Sequence, residues 1–194
     1  MPTNRLEAFA DGIFAIAATL LVLNLTVTGH SLGKELLDIW PGYLAYALSF
    51  VTIGIIWVNH HTVMHQVAHV DRFFLMVNVL FMMSIAFIPF PTRLLAEYIT
   101  TPQAEPAALA YGITLTVTAV LFNVIWRYAA TGRRLLRHDA DQRLVDGIGR
   151  SYLPGPLLYL GATLVALKSP LASGGLYVAI GVFYVLESSI FGRR

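Results

Sequence analysis

The stretch RLEAFADGIFAIAATLLVLNL, residues 5–25, sets Arg5, Glu7 and Asp11 directly against a long apolar run. Charges beside a bilayer are costly, so each needs a partner or a task. Arg5 and Phe9 are four residues apart and share one helix face. Asp11 follows Arg5 by six residues, which on a helix turns it about 120° away. The two charges therefore do not pair on their own helix, and each reaches toward a neighbouring one. Asp11 also falls in the first turns, where the helix dipole favours an anion. Interfacial anchoring, with the arginine reaching toward headgroups, is the plainer role for both.

A second concentration of chemistry is NHHTVMHQVAHVDR, which carries His60, His61, His65 and His69. His61, His65 and His69 are spaced to share a helix face. Two such histidines can hold zinc, but a site needs more ligands, and Asp71 is the one carboxylate nearby. The same cluster could titrate near pH 6.5 and couple protons to a conformational change, or simply be solvated. The chain has no cysteine, which removes thiolate catalysis and Cys-ligated metals. Ser151, Ser188 and Ser189 have no His/Asp partners in register, and there is no glycine-rich phosphate loop or nucleic-acid motif. The expectation is therefore no enzyme, no cofactor and no bound metal, with the histidine row as the one thin argument for a metal.

The elements that must position these groups are read from composition. Of 194 residues 57% are hydrophobic and 12% charged, with a mean hydropathy of +0.67. Soluble domains have about 25% charged residues. The sequence is therefore that of an all-α integral membrane protein. Six apolar runs stand at about residues 4–28, 37–64, 71–99, 107–130, 152–167 and 171–190, leaving no room for a soluble domain beside them. The whole chain, 1–194, reads as a single six-helix transmembrane domain. Pro89 and Pro91 in FIPFPTRLL predict a kink in the third helix, and TGHSLGKE and the Arg-rich RYAATGRRLLRHDADQRLVDGIGR read as breaks. Ten of the thirteen Lys and Arg fall on one side of such a layout, which predicts that both termini are cytoplasmic. Glu97 and Glu187 read as interfacial carboxylates, Glu187 with Arg193 as one possible partner. The Arg-rich stretch reads as topological and lipid-facing, with specific binding of anionic lipid as the alternative.

RLEAFAD resembles the RxxxFSD signature of the transmembrane-protein-175 family, which includes the endosomal and lysosomal potassium channel and bacterial relatives. Arg5, Phe9 and Asp11 match, and Ala10 stands where the family has serine. GIFAIAATLLVLNL, IWVNHH (residues 56–61) and FIPFPTRLLAEY (residues 87–98) are similar to the family's first three helices. The resemblance implies six transmembrane helices per subunit and a homotetramer with helix 1 lining a central pore. It also implies that Arg5, Phe9 and Asp11 pack with Trp57, Asn59, His60 and His61 on helix 2 and fix the rotation of helix 1. Trp57 is then a cation–π surface for Arg5, and a histidine a donor to Asp11.

Phe9, Ile13, Ile16, Leu20, Leu23 and Val27 form one face of helix 1. Periodicity alone makes such a stripe lipid-facing or packed. The resemblance implies that Ile16, Leu20 and Leu23 form the pore constriction and that Thr19 adds a hydroxyl layer favouring potassium. There is no TVGYG-like loop, so a constriction of this kind would gate by dewetting rather than by carbonyl coordination. Asn24, about 80° off the stripe, could help ions or bond a neighbouring helix. The expected function is a potassium-permeable cation channel in a bacterial inner membrane. Its partners are further copies of itself, membrane lipids and monovalent cations, with permeating K+ and no nucleic acid. The alternative is a proton channel or proton-coupled transporter using Asp11 and the helix 2 histidines. A metal-binding or enzymatic membrane protein is a third, thinner reading.

Overall fold

The computed structural model describes residues 3–27 and 31–191, with side chains through Tyr184. The described chain is all-α. Helix α1 spans Asn4–Leu20 and tightens into a 3-10 turn over Leu21–Asn24. The remaining helices are α2 (Leu32–Asp38), α3 (Trp40–Gln66), α4 (Arg72–Phe87), α5 (Pro89–Tyr98), α6 (Ala104–Ala130), α7 (Gln142–Tyr152), α8 (Gly155–Val165) and α9 (Pro170–Phe191). Four stretches are long and apolar enough to cross a bilayer: Asn4–Asn24, Trp40–Gln66, Arg72–Tyr98 and Ala104–Arg133.

Local sequence explains the boundaries. Asp71 caps α4 by accepting the Phe74 N–H at 2.8 Å, and Asp141 caps α7 by accepting that of Arg143 at 2.8 Å. Pro41 lies in the first turn of α3, where no intrahelical donor is lost. Between α4 and α5 the predicted kink falls at Ile88, just before the two prolines that cannot donate. Gly132 (φ 61°) and Arg133 (φ 54°) turn the chain out of α6 through the left-handed region. The Arg133 conformation is held by its guanidinium, which donates to Gln142 Oε1 and to the carbonyls of Arg137 and Ala140.

Three expectations are corrected. TGHSLGKE is not merely a break, because Leu32–Asp38 inside and after it is helical. The Arg-rich stretch contains α7, whose Val145 and Ile148 are buried one turn apart against the bundle. The fifth apolar run is shorter than 152–167: Tyr152 ends α7, and α8 has 11 residues. Thr28, the expected end of helix 1, the side chain of Glu187, and Arg193–Arg194 lie outside what is described.

In the packing, α1 lies against α3 and α4, α3 also against α5 and α9, and α6 against α4, α5, α7 and α8. Leu6, Ala10, Phe14, Ala17 and Leu21 are the buried face of α1. Hydroxyls bond the helices together inside the apolar core, as suits a bundle whose surroundings offer no water. Ser49 pairs with Thr92 at 2.8 Å and Tyr111 at 3.1 Å, and Thr118 donates to Ser84 at 3.0 Å. Gly112 lets α6 approach the α8–α9 pair closely, since a Cβ there would overlap the Tyr177 hydroxyl and Thr163.

Candidate functional site

The face of α1 opposite its buried one is uncovered. Ile16 is 58% exposed, Leu20 41% and Leu23 68%, with Thr19 exposed between them. Ile13 departs from the expected stripe: it is half-buried and packs on the core. The 3-10 turn changes the geometry of the rest. A 3-10 helix advances about 120° per residue, so residues three apart eclipse. Leu23 therefore stands directly in line with Leu20, about 6 Å along the axis, rather than about 60° off as α periodicity would place it. The Thr19 hydroxyl donates to the carbonyls of Ala15 and Ile16, each at 2.9 Å. Its proton is thereby turned inward, and its oxygen lone pairs remain for an electropositive group at the exposed face.

Asn24 does not join that face. Its amide donates to the carbonyl of Pro89 at 3.0 Å, tying the end of α1 to the break between α4 and α5.

At the other end of α1, Asp11 accepts a hydrogen bond from the Trp57 indole N–H at 2.8 Å. The donor is thus tryptophan, not histidine. His61 stacks on Trp57 (centroids 6.1 Å, planes 26° apart), and His65 meets His61 edge to face at 4.8 Å. His60 goes elsewhere. It is buried, bonds Asn78 of α4 at 3.1 Å and packs between Phe14 and Phe81. Asn78 was missed in the sequence, although a lone amide inside RFFLMVNVLFMMSIAF was a usable signal. Asn59 lies on a third face, lining a cavity with Thr52, Thr118 and Phe122. Within one chain Arg5 and Phe9 are exposed, and among the described residues the Arg5 guanidinium has no hydrogen bond, ion pair or ring contact. The structure thus joins Asp11, Trp57 and His61 but not Arg5, Phe9, Asn59 or His60 to them.

The histidine row is interrupted. Helix α3 ends at Gln66, so His69 is off the face shared by His61 and His65. Among the described residues no three His, Cys, Asp or Glu side chains gather as a metal site. The α3–α4 connection is instead clasped to the segment after α6: the Ala68 N–H donates to Leu135 O at 2.8 Å and the Arg137 N–H to Gln66 O at 2.9 Å. Asp71 lies beside this clasp and accepts from Tyr128 OH at 2.6 Å, while Arg134 stands over the Tyr128 ring at 4.7 Å. The Phe74 N–H and then the Tyr128 hydroxyl hold the Asp71 carboxyl below the ordinary carboxylate range. Glu97 pairs with Arg93 at 2.7 Å, one turn away on α5.

Residues 5–89 match the family model described as the endosomal/lysosomal potassium channel TMEM175. A potassium channel of Chamaesiphon minutus is 44% identical over 96% of this chain and 95% of its own length. The crystal structure of a lysosomal potassium-selective channel TMEM175 homolog from Chamaesiphon minutus superposes with a TM-score of 0.88, at 42% identity, over 96% of this chain and 97% of that one. The chicken endosomal/lysosomal proton channel TMEM175 is 33% identical over 70% of this chain and 30% of its own length. With a relative of that identity aligned along nearly its whole length, the chain belongs to the TMEM175 family of ion channels.

Proposed function

We propose that the chain is one subunit of a homotetrameric potassium channel in which α1 of each subunit faces a central pore. The observation that carries this reading is the uncovered file of Ile16, Thr19, Leu20 and Leu23 on α1. A chain 42% identical to a potassium-selective channel leaves unpaired the helix surface that a pore requires. One helix face cannot enclose a pathway, so function demands several copies. Rings of Ile16, Leu20 and Leu23 would form a hydrophobic constriction that excludes water, and with it ions, when narrow. Thr19 oxygens would offer partial compensation to a potassium ion shedding water. No cofactor takes part, and monovalent cations and lipid are the other partners.

Six crossings fit this layout: α1 with its 3-10 turn, α3, the bent α4–α5 pair, α6, α8 and α9, with α2 and α7 along the surfaces. Helix α8, about 16 Å long, is short for a crossing and calls for local thinning or shielding by neighbouring subunits. A bacterial inner membrane with both termini cytoplasmic fits the arginine distribution.

The proton reading uses Asp11 and the histidines. Against it, Asp11 is held by an indole N–H, which does not exchange a proton in a relay, and His60 bonds Asn78 instead. Planar-bilayer recording of the purified protein with potassium, sodium and caesium gradients tests the channel. Potassium-dependent reversal potentials are expected, whereas reversal that follows only the pH gradient would overturn it.

A further inference from the structure

The bundle has a second concave surface, remote in sequence from the α1 face. A crevice of about 560 Å³ lies between the end of α6 and α7. Trp126, Arg127, Gln142, Asp146, Arg150 and Leu153 give it its chemistry. Arg127 and Arg150 are exposed, and among the described residues neither guanidinium has a hydrogen bond or ion pair. The lining carboxylate, Asp146, takes a hydrogen bond from Gln142 Nε2 at 2.9 Å. Arg133 donates to the other end of the same amide, which adds a third positive charge at the rim.

Trp126 supplies an independent observation. It is 3% exposed, and its indole N–H has no partner among the described residues. No sealed side-chain nitrogen or oxygen in those residues lacks a partner, so this N–H keeps its small exposure at the crevice wall. Gly149, which also lines the crevice, lies next to it: a Cβ there would stand 3.4 Å from Trp126 Nε1. A nearly enclosed donor with no partner among the described residues thus belongs to the wall of a crevice that Arg127 and Arg150 also line.

The position decides what fills it. Arg127 is in the last turn of α6, a helix long and apolar enough to cross a bilayer, so it falls near the end of that stretch. Helix α7 is amphipathic, and Leu153 (51% exposed), which caps its end and lines the crevice, presents apolar surface beside the charges. An anion with hydrocarbon attached meets both requirements, while a free anion leaves Leu153 uncovered.

We propose that the α6–α7 crevice binds the phosphate of an anionic phospholipid, with Arg127 and Arg150 as counter-charges and Trp126 as hydrogen-bond donor. The proposal needs the chain to sit in a bilayer but not to conduct potassium, so a failure of either leaves the other standing. The purified full-length protein, equilibrated with equal phosphatidylglycerol and phosphatidylcholine, is examined by native mass spectrometry. Wild type should retain phosphatidylglycerol preferentially. R127Q or R150Q should reduce that retention roughly fivefold and the pair roughly thirtyfold, while R72Q, outside the crevice, should leave it unchanged. Equal retention of both lipids by wild type, or undiminished retention by the double variant, would overturn the proposal. So would displacement of the lipid by millimolar inorganic phosphate that binds with the same arginine dependence, which would make this a soluble-anion site. Should the double variant fail to assemble, R150Q alone, on the exposed side of α7, decides the matter.

Discussion

The contact between Trp57 and Asp11 links the rotation of α1 to α3, and its worth can be measured. The indole N–H lies 2.8 Å from Asp11 Oδ1, a good distance for a charge-assisted hydrogen bond. Such bonds contribute about 1.5–3 kcal/mol when shielded. Both residues are exposed here, where ionic contacts fall to about 0.2–1 kcal/mol. A coupling of about 1 kcal/mol per subunit follows. If four subunits act together, about 4 kcal/mol biases α1, or roughly a thousandfold in population. The perturbations are D11A, W57F and the double variant. Unfolding of each purified protein in detergent closes a double-mutant cycle, which cancels the packing that Trp57 also makes with His61. Currents in bilayers then report function. The expected result is coupling near 1 kcal/mol and the same altered open probability for D11A and W57F. Losses that add to within about 0.3–0.5 kcal/mol would refute a mechanical link. W57F with intact proton flux beside D11A with none would replace it with a relay.

Other expectations follow from the same geometry. Ile16→Asn should wet the proposed constriction, raising resting current severalfold and reducing potassium selectivity in bilayer recordings, in a normally assembled protein. Gly112→Ala should destabilise by about 1–3 kcal/mol through overpacking against Tyr177 and Thr163, and Tyr177→Phe should recover part of that loss, both read from unfolding midpoints. Asp71 has a folded pKa below its unfolded one, so its contribution to stability is present above the ordinary carboxylate pKa of about 4 and is lost as pH falls below it. Asp71→Asn should flatten stability against pH in that acid range and leave the slope near neutrality unchanged.

Much of the scaffold was legible because its signals are local and strong. Apolar runs marked the long helices, and Pro89–Pro91 marked the break after Phe87. Asp11 was readable as reaching to a neighbouring helix. Partner identity was not, because it depends on azimuth across two helices. Trp57, Asn59, His60 and His61 are close in sequence but cannot face one way: at about 100° per residue, Asn59 is opposite Trp57. That arithmetic was available, and it separates the residue at the α6 cavity from the one at Asp11. Helix α7 was hidden by its charges and two glycines, although Asp141 was a readable cap and Leu144, Val145 and Ile148 a short apolar face. The tightening at Leu21 has no periodic signature, since the apolar residues there suit either helix type.

That tightening bears on how substitutions along α1 should be compared with those in relatives. In a fourfold ring, the lumen and the seam between neighbours lie 45° apart by symmetry alone. Counting at 3.6 residues per turn through Leu21–Asn24 misjudges Leu23 by about 60°, enough to assign a lumen residue to a seam. Scanning data over this turn should therefore repeat every third residue, with Leu20 and Leu23 responding alike and Val22 responding as their neighbour at the side.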